Sequence, residues 1–348
     1  MLTVTIDPAI FSPPSEASAE SVRGYVSLLL HWKGVLDGGW ARVLKCRSTP
    51  AILVKCNCYP FRPWLRDLFA RTRTTDYDSN TVAILADTLL ARSGDLEEAT
   101  GIDDILASHL RFVPDVFAGH GPLELRSESE KCALVIAIIR TASTDPSAPG
   151  HGLALGSRVG SHEITVGAEI EVIDHHRTDL GALPAAPNRF EGRAAICDTF
   201  QSLVESLSDL AIWKCARANS DLETAIKVSI FESRVARGLP VSWDTLPRFT
   251  LQPGFFESLR ACGATTNDSL ARSTLRSIVD TVEDLRLAAT HALRTGAGAN
   301  TGQRSRGPDL AWRRDVTYDH HLHYWQRGDD GSKELSCVVT HNCFDITS

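Results

Sequence analysis

The sequence predicts a mixed fold, α/β or α+β, built from a mixed sheet and several long helices. Three observations carry this. Short runs rich in β-branched residues stand near both ends of the chain, at Leu2–Ile6 and Lys333–Val339. Between them lie several long stretches whose apolar residues recur with a helical period. With 43% apolar and 23% charged residues, the chain can bury a real core.

Leu2 to Ile6 alternates as a strand does, and Asp7 and Pro8 stop it. Residues 11–20 read as a loop, and Ser21 is placed to cap a helix through Leu36. Two short apolar runs, Ala41–Leu44 and Ala51–Val54, read as strands. An amphipathic helix is expected over 61–72. A cleaner one covers 79–94, starting at Ser79 or Asn80 and ending at Gly94. Ser127 and Glu130 have capping-box spacing ahead of the apolar run 132–139. Residues 143–163, rich in Gly, Pro and Ser, read as loop. Ile164–Ile173 reads as a strand running into Asp174-His175-His176. A loop over 177–193 leads to helices at 194–217 and from Ser220 to Gly238, the second with a capping box completed by Glu223. Residues 242–254 read as loop or short strand. Helical periodicity returns over 253–262 and 266–294, and 296–307 reads as a linker or mobile loop. The expected division is an α/β domain over 1–150 and a mixed helical region with C-terminal strands over 151–348, unless the two are continuous.

Composition narrows the function. A net charge of −7 and a pI near 5.9 argue against a wholly basic nucleic-acid binder, but not against a local basic patch. No apolar run is long enough to span a membrane, and Met1–Phe11 lacks the features of a signal peptide, so a cytoplasmic protein is expected. The nine cysteines are an odd number, and buried free thiols are the plain reading. Cys56-Asn57-Cys58 is the closest pair; with no CxxC, a structural zinc site is not expected. The chain has no P-loop, no GxGxxG after a strand and no GxSxG, so no nucleotide cofactor is indicated.

The densest stretch of functional side chains is Trp312–Trp325, which holds three of the twelve histidines. As a strand over 316–325 it would place Asp319, His321 and His323 on one face, about 7 Å apart at each step. As a helix it would pair Asp319 with His323. Either way Asp319, His321 and His323 are the catalytic candidates, with Asp319 orienting His323 and the imidazoles moving protons. Arg313, Arg314 and Tyr324 are the substrate-binding candidates, with phosphate the natural target of the arginines. The ordinary alternative is a half-buried edge strand. The segments HLHYW, QRGDDGSK and ELSCVVTHNCF resemble the C-terminal strands of RelE-like ribonuclease toxins, with His341 as the polar group of the last strand. That resemblance implies RNA-directed chemistry.

Two further stretches suggest metal. Val172-Ile173-Asp174-His175-His176 resembles the triplet of the DHH phosphoesterases, which implies Asp174 and His175 as ligands of a divalent metal pair. The earlier aspartate segment of that family has no counterpart here, and a surface turn is the alternative. The first strand, ending in Asp7, resembles the first strand of PIN-like nucleases. That implies Asp7 as a ligand of Mg²⁺ or Mn²⁺, with three or four carboxylates around the ion. Asp76, Asp78, Asp87, Asp103 and Asp104 are candidates for the others, and a strand-capping Asp is the alternative. The leading expectation is therefore a metal-dependent nuclease, or an RNA-directed toxin or effector of prokaryotic defence. The second is a non-enzymatic recognition or scaffold subunit that docks a protein partner through its C-terminal strand.

Overall fold

A seven-stranded sheet organises the N-terminal part of the molecule, and a smaller, six-stranded mixed sheet the C-terminal part. The computed structural model describes residues 2–15, 18–142, 148–156, 160–178, 188–296, 301–341 and 343–346. The loops expected around 143–163, 177–193 and 296–307 fall partly outside these. The chain divides into two units, Met1–Leu207 and Ser208–Ser348.

The first unit runs β1 (Thr3–Ile6), α1 (Ala19–Gly38), β2 (Arg42–Lys45), α2 (Thr49–Lys55), α3 (Arg62–Thr72), α4 (Ser79–Arg92), β3 (Gly94–Asp95), α5 (Leu96–Thr100), β4 (Ile102–Val113), α6 (Leu123–Ala142), β5 (His151–Ala154), β6 (Glu163–His175), β7 (Asn188–Cys197) and α7 (Phe200–Glu205). The strand order is β3-β2-β1-β5-β7-β6-β4. The run from β3 to β7 is parallel, and β6 and β4 extend it antiparallel. All four residues of β1 are buried, as a central parallel strand demands. From β1 the chain moves outward to β2 and β3, whereas β5 joins β1 on its other side. The crevice at the carboxyl ends of β1 and β5 is therefore a topological switch point, where open parallel sheets bind ligands.

Several local readings change. The run 51–54 lies in α2, because Pro50 fixes a first helical turn that Thr49 begins. Ser18 rather than Ser21 caps α1, and Ser21 closes the capping box as its third residue. Helix α6 starts at Leu123, so Ser127 and Glu130 lie within it and Glu130 pairs with Arg126. The expected boundary near 150 falls inside the sheet: β5, β6 and β7 all belong to it. Residues 194–197 are strand, not helix, and Ala194, Ala195 and Ile196 are buried there between neighbouring strands.

Strands β4 and β6 form a long ribbon paired from Val113↔Thr165 to Ile102↔His175. Strand β7 accompanies β6 no further than Ile170↔Asn188 among the described residues.

The second unit contains α8 (Asp209–Cys215), α9 (Asn219–Ala236), β8 (Phe249–Leu251), α10 (Phe255–Ala261), α11 (Asp268–Val282), β9 (Thr290–Ala292), β10 (Ser305–Arg306), β11 (Asp309–Asp315), β12 (His320–Gln326) and β13 (Lys333–Thr340). Its strands are ordered β10-β11-β12-β13-β8, with β9 on β11. The helix expected over 266–294 stops at Val282, and the chain returns as β9. Helix α11 packs against β11 and β12. No helix among the described residues is long and apolar enough to cross a membrane.

Candidate functional site

Buried polar side chains converge at the carboxyl edge of the parallel strands. Asp7 follows β1 and is fully buried. Its backbone N–H donates to Ala154 O at 3.0 Å, tying the ends of β1 and β5 together. Its Oδ1 accepts from Ala9 N–H at 3.0 Å and from the Ser129 hydroxyl on α6. Its Oδ2 faces His120 Nε2 at 2.6 Å. His120 comes from the segment between β4 and α6, where Phe117 meets its ring edge-on at 5.2 Å. Burial pulls the His120 imidazolium down, but the hydrogen bond and charge of Asp7 outweigh that and raise it above the usual histidine range. With Nε2 engaged by Asp7, Nδ1 is the nitrogen left for other chemistry.

A second group adjoins it. Cys46 after β2, Glu97 on α5 and Glu128 on α6 are all buried, and their ligand atoms lie within 4.8 Å of one another. Arg47 N–H donates to Glu97 Oε2 at 2.9 Å, and the Ser48 hydroxyl donates to Glu128 Oε1. A hydrogen bond with Cys132, then burial, hold the Cys46 thiol well above its usual range. Cys132 on α6 is fully buried; its hydrogen bond with Cys46 pulls the thiol down, but burial and then the charges of Glu128, Asp7 and Glu97 outweigh that and raise it. Glu128 and Ser129, which bonds Asp7, are consecutive on α6, so the two groups adjoin through that helix.

The candidates named from the sequence fare differently. Asp7 lies at this edge. Asp174 and His175 do not: β6 runs antiparallel to β7, so they end at the opposite edge, both exposed. There Arg177 and Thr100 line a cleft with Thr3, Arg42 and His151, from the first residues of β1, β2 and β5. Asp76 and Asp78 are taken by Arg23 and by the cap of α4; Asp87, Asp103 and Asp104 bind Tyr59, His176 and Lys131.

In the second unit, β12 begins at His320, so Asp319 sits in the preceding turn, exposed, and does not face His323. The carboxylate beside His321 is Asp315, with Oδ1 3.0 Å from Nδ1. His321 Nε2 lies 2.9 Å from His341 Nδ1, and Asp315 Oδ2 lies 3.4 Å from His291. His323 is fully buried, its Nδ1 bonded to Asp345 O at 2.8 Å. Burial drives its pKa down to about 4. Arg314 is buried and donates to Leu285 O and Arg286 O at 2.7 and 3.0 Å, so it is structural rather than substrate-facing. Tyr324 is buried as well, and Arg313 is half-buried on the face of His323.

Sequence reasoning missed His120, Ser129, Cys46, Glu97, Glu128 and Cys132. One signal was available: Glu128-Cys132-Ile136 and Leu125-Ser129-Ala133 are stripes four residues apart, which bury a carboxylate and a hydroxyl on an otherwise apolar helix face. Comparison with family models, curated proteins and solved structures found no match to the chain.

Proposed function

We propose that the first unit is a metal-dependent hydrolase of phosphodiesters, acting on RNA or DNA at the carboxyl edge of its parallel strands. The observation that carries this reading is geometric: Asp7 is bonded to Ser129 on α6, and Glu128, the residue before Ser129, gathers with Glu97 beside the same switch point. Such a gathering of carboxylates is what the PIN-like resemblance of the first strand implies. The ordered Asp7–His120 contact adds a proton-handling group at the same place.

Within this reading each residue has a part. Asp7 fixes the His120 tautomer and steadies its charged form. His120 exchanges a proton with the reacting oxygen through Nδ1. Ser129 and Ala9 N–H hold Asp7 in place. Glu97 and Glu128 would hold a divalent ion, and such an ion polarises a phosphoryl oxygen and acidifies its bound water. Both Asp7 oxygens are already engaged, so Asp7 is assigned to His120 rather than to the ion. The alternative, a recognition or scaffold subunit docking a partner through its C-terminal basic and aromatic strand, has less support, because Arg314, Tyr324 and Trp325 of that segment are buried.

Incubation of the purified protein with labelled RNA and DNA, in Mg²⁺, Mn²⁺, Zn²⁺ or EDTA, tests this. Cleavage that needs metal, survives His323→Ala and is lost in Asp7→Asn and His120→Ala is expected. Absence of cleavage on every substrate overturns the reading.

A further inference from the structure

We propose that Cys46, Glu97 and Glu128 form a binding site for a transition-metal ion of the zinc class, in place of the Mg²⁺ that an all-oxygen site would take. This stands on the donor geometry alone and holds whether or not the protein cleaves phosphodiesters.

The three donors come from three separate elements, and each is more than nine-tenths buried. Their ligand atoms lie within 4.8 Å of one another, a spacing that one ion can bridge. The turn after Cys46 anchors both carboxylates: Arg47 N–H holds one oxygen of Glu97 and Ser48 one oxygen of Glu128. Each carboxylate thereby keeps a second oxygen, the arrangement by which outer-shell donors orient metal ligands.

An independent observation concerns charge. Two buried carboxylates this close require a compensating cation or proton. Among the described residues no lysine, arginine or histidine makes a salt bridge with Glu97 or Glu128. Of the two flanking lysines, Lys45 pairs with Asp95, and Lys131 pairs with Asp104 at 2.8 Å while its charge also reaches Glu128 and Cys46, one cation shared among three acidic groups. The next residue of the same turn adds a second orphan. Thr49 is fully buried, and its hydroxyl has no hydrogen-bond partner among the described residues.

The donor types select the ion. Mg²⁺ and Ca²⁺ take oxygen ligands, whereas a thiolate suits zinc and its neighbours. Three protein donors leave a coordination position open, as in zinc sites that also bind water or substrate. Binding replaces the thiol proton of Cys46, which passes to solvent.

The test is a Co²⁺ titration of the metal-stripped full chain, read as the thiolate-to-cobalt charge-transfer band in the near ultraviolet. Metal content of the protein as purified is measured alongside. One equivalent of cobalt giving the band is expected, with no competition from excess Mg²⁺ and displacement by Zn²⁺. Cys46→Ser should abolish the band, and Glu128→Gln should keep it while weakening affinity at least about tenfold. Far-UV circular dichroism identifies a variant that fails to fold; if Cys46→Ser does, Glu97→Gln and Glu128→Gln decide by their affinities. No band in the native chain, a band unchanged in folded Cys46→Ser, or affinity unchanged in both glutamine variants overturns the proposal.

Discussion

Asp7 and His120 stand 113 positions apart in the chain, yet Oδ2 and Nε2 meet at 2.6 Å. The pair joins the end of β1 to the segment ahead of α6. Asp7→Ala removes the acceptor for His120, Ser129 and Ala9 N–H at once. A loss of roughly 2–4 kcal/mol is expected in urea unfolding. A double-mutant cycle with His120→Ala should return a coupling above about 0.5 kcal/mol. Strictly additive effects would mean that the contact is not energetically real.

His323 makes the second unit acid-sensitive. Its pKa is near 4 when folded and about 6.5 when unfolded, so the unfolded chain binds the extra proton between those values. Stability is therefore full above about pH 6.5 and falls as pH drops through 4, by roughly 3 kcal/mol at most. His323→Asn should flatten the difference in stability between pH 7 and pH 4. An identical acid slope in variant and native protein would remove His323 from the explanation.

Glu232 on α9 behaves with the opposite sign. Burial, then the charge of Asp209, push its carboxyl up to about 7. It titrates lower when unfolded, so its ionisation weakens the fold as pH rises from about 4.5 through 7. Glu232→Gln should raise stability at pH 8 by about 1–2 kcal/mol after allowance for partial solvent screening, and leave it nearly unchanged at pH 4. The comparison is made by thermal unfolding at the two pH values, and a variant no more stable at pH 8 counts against this account.

Arg314 holds the turn after α11. Its guanidinium bonds two carbonyls there and lies 3.5 Å from Asp280. Lysine cannot reproduce that fork of donors. Both Arg314→Lys and Arg314→Ala should lower the midpoint of denaturant unfolding, with about 3 kcal/mol or more lost in the alanine variant. A midpoint within error of the native value would return Arg314 to the list of ligand-facing groups.

The fold class and the first strand were legible because Leu2–Ile6 alternates and Asp7-Pro8 terminates it. The C-terminal strands were legible for the same reason, although β12 begins at His320 rather than at 316, which leaves Asp319, expected to orient His323, in the preceding turn, and the carboxylate beside His321 is Asp315. Strand β5 was hidden: four residues, one a glycine, carry no period that can be read. The site beside Asp7 was hidden for a different reason. Cys46, Glu97, His120 and Glu128 belong to four separate elements, and parallel strand pairing rather than any local motif brings them to one edge.

The β4–β6 ribbon sets how stiff each part of the first sheet can be. From Ile102 to Leu106 and from Glu171 to His175 the two strands have only each other among the described residues. A lone pair of strands opens by itself, without disturbing the parallel core. Amides on this outer half should exchange with solvent well ahead of those at 164–168, where β6 has a neighbour on both sides. Asp174 and His175 are thus expected to ride on a part of the backbone that opens early, whereas Asp7 and Cys46 directly follow strands of the parallel core and should stay protected longer.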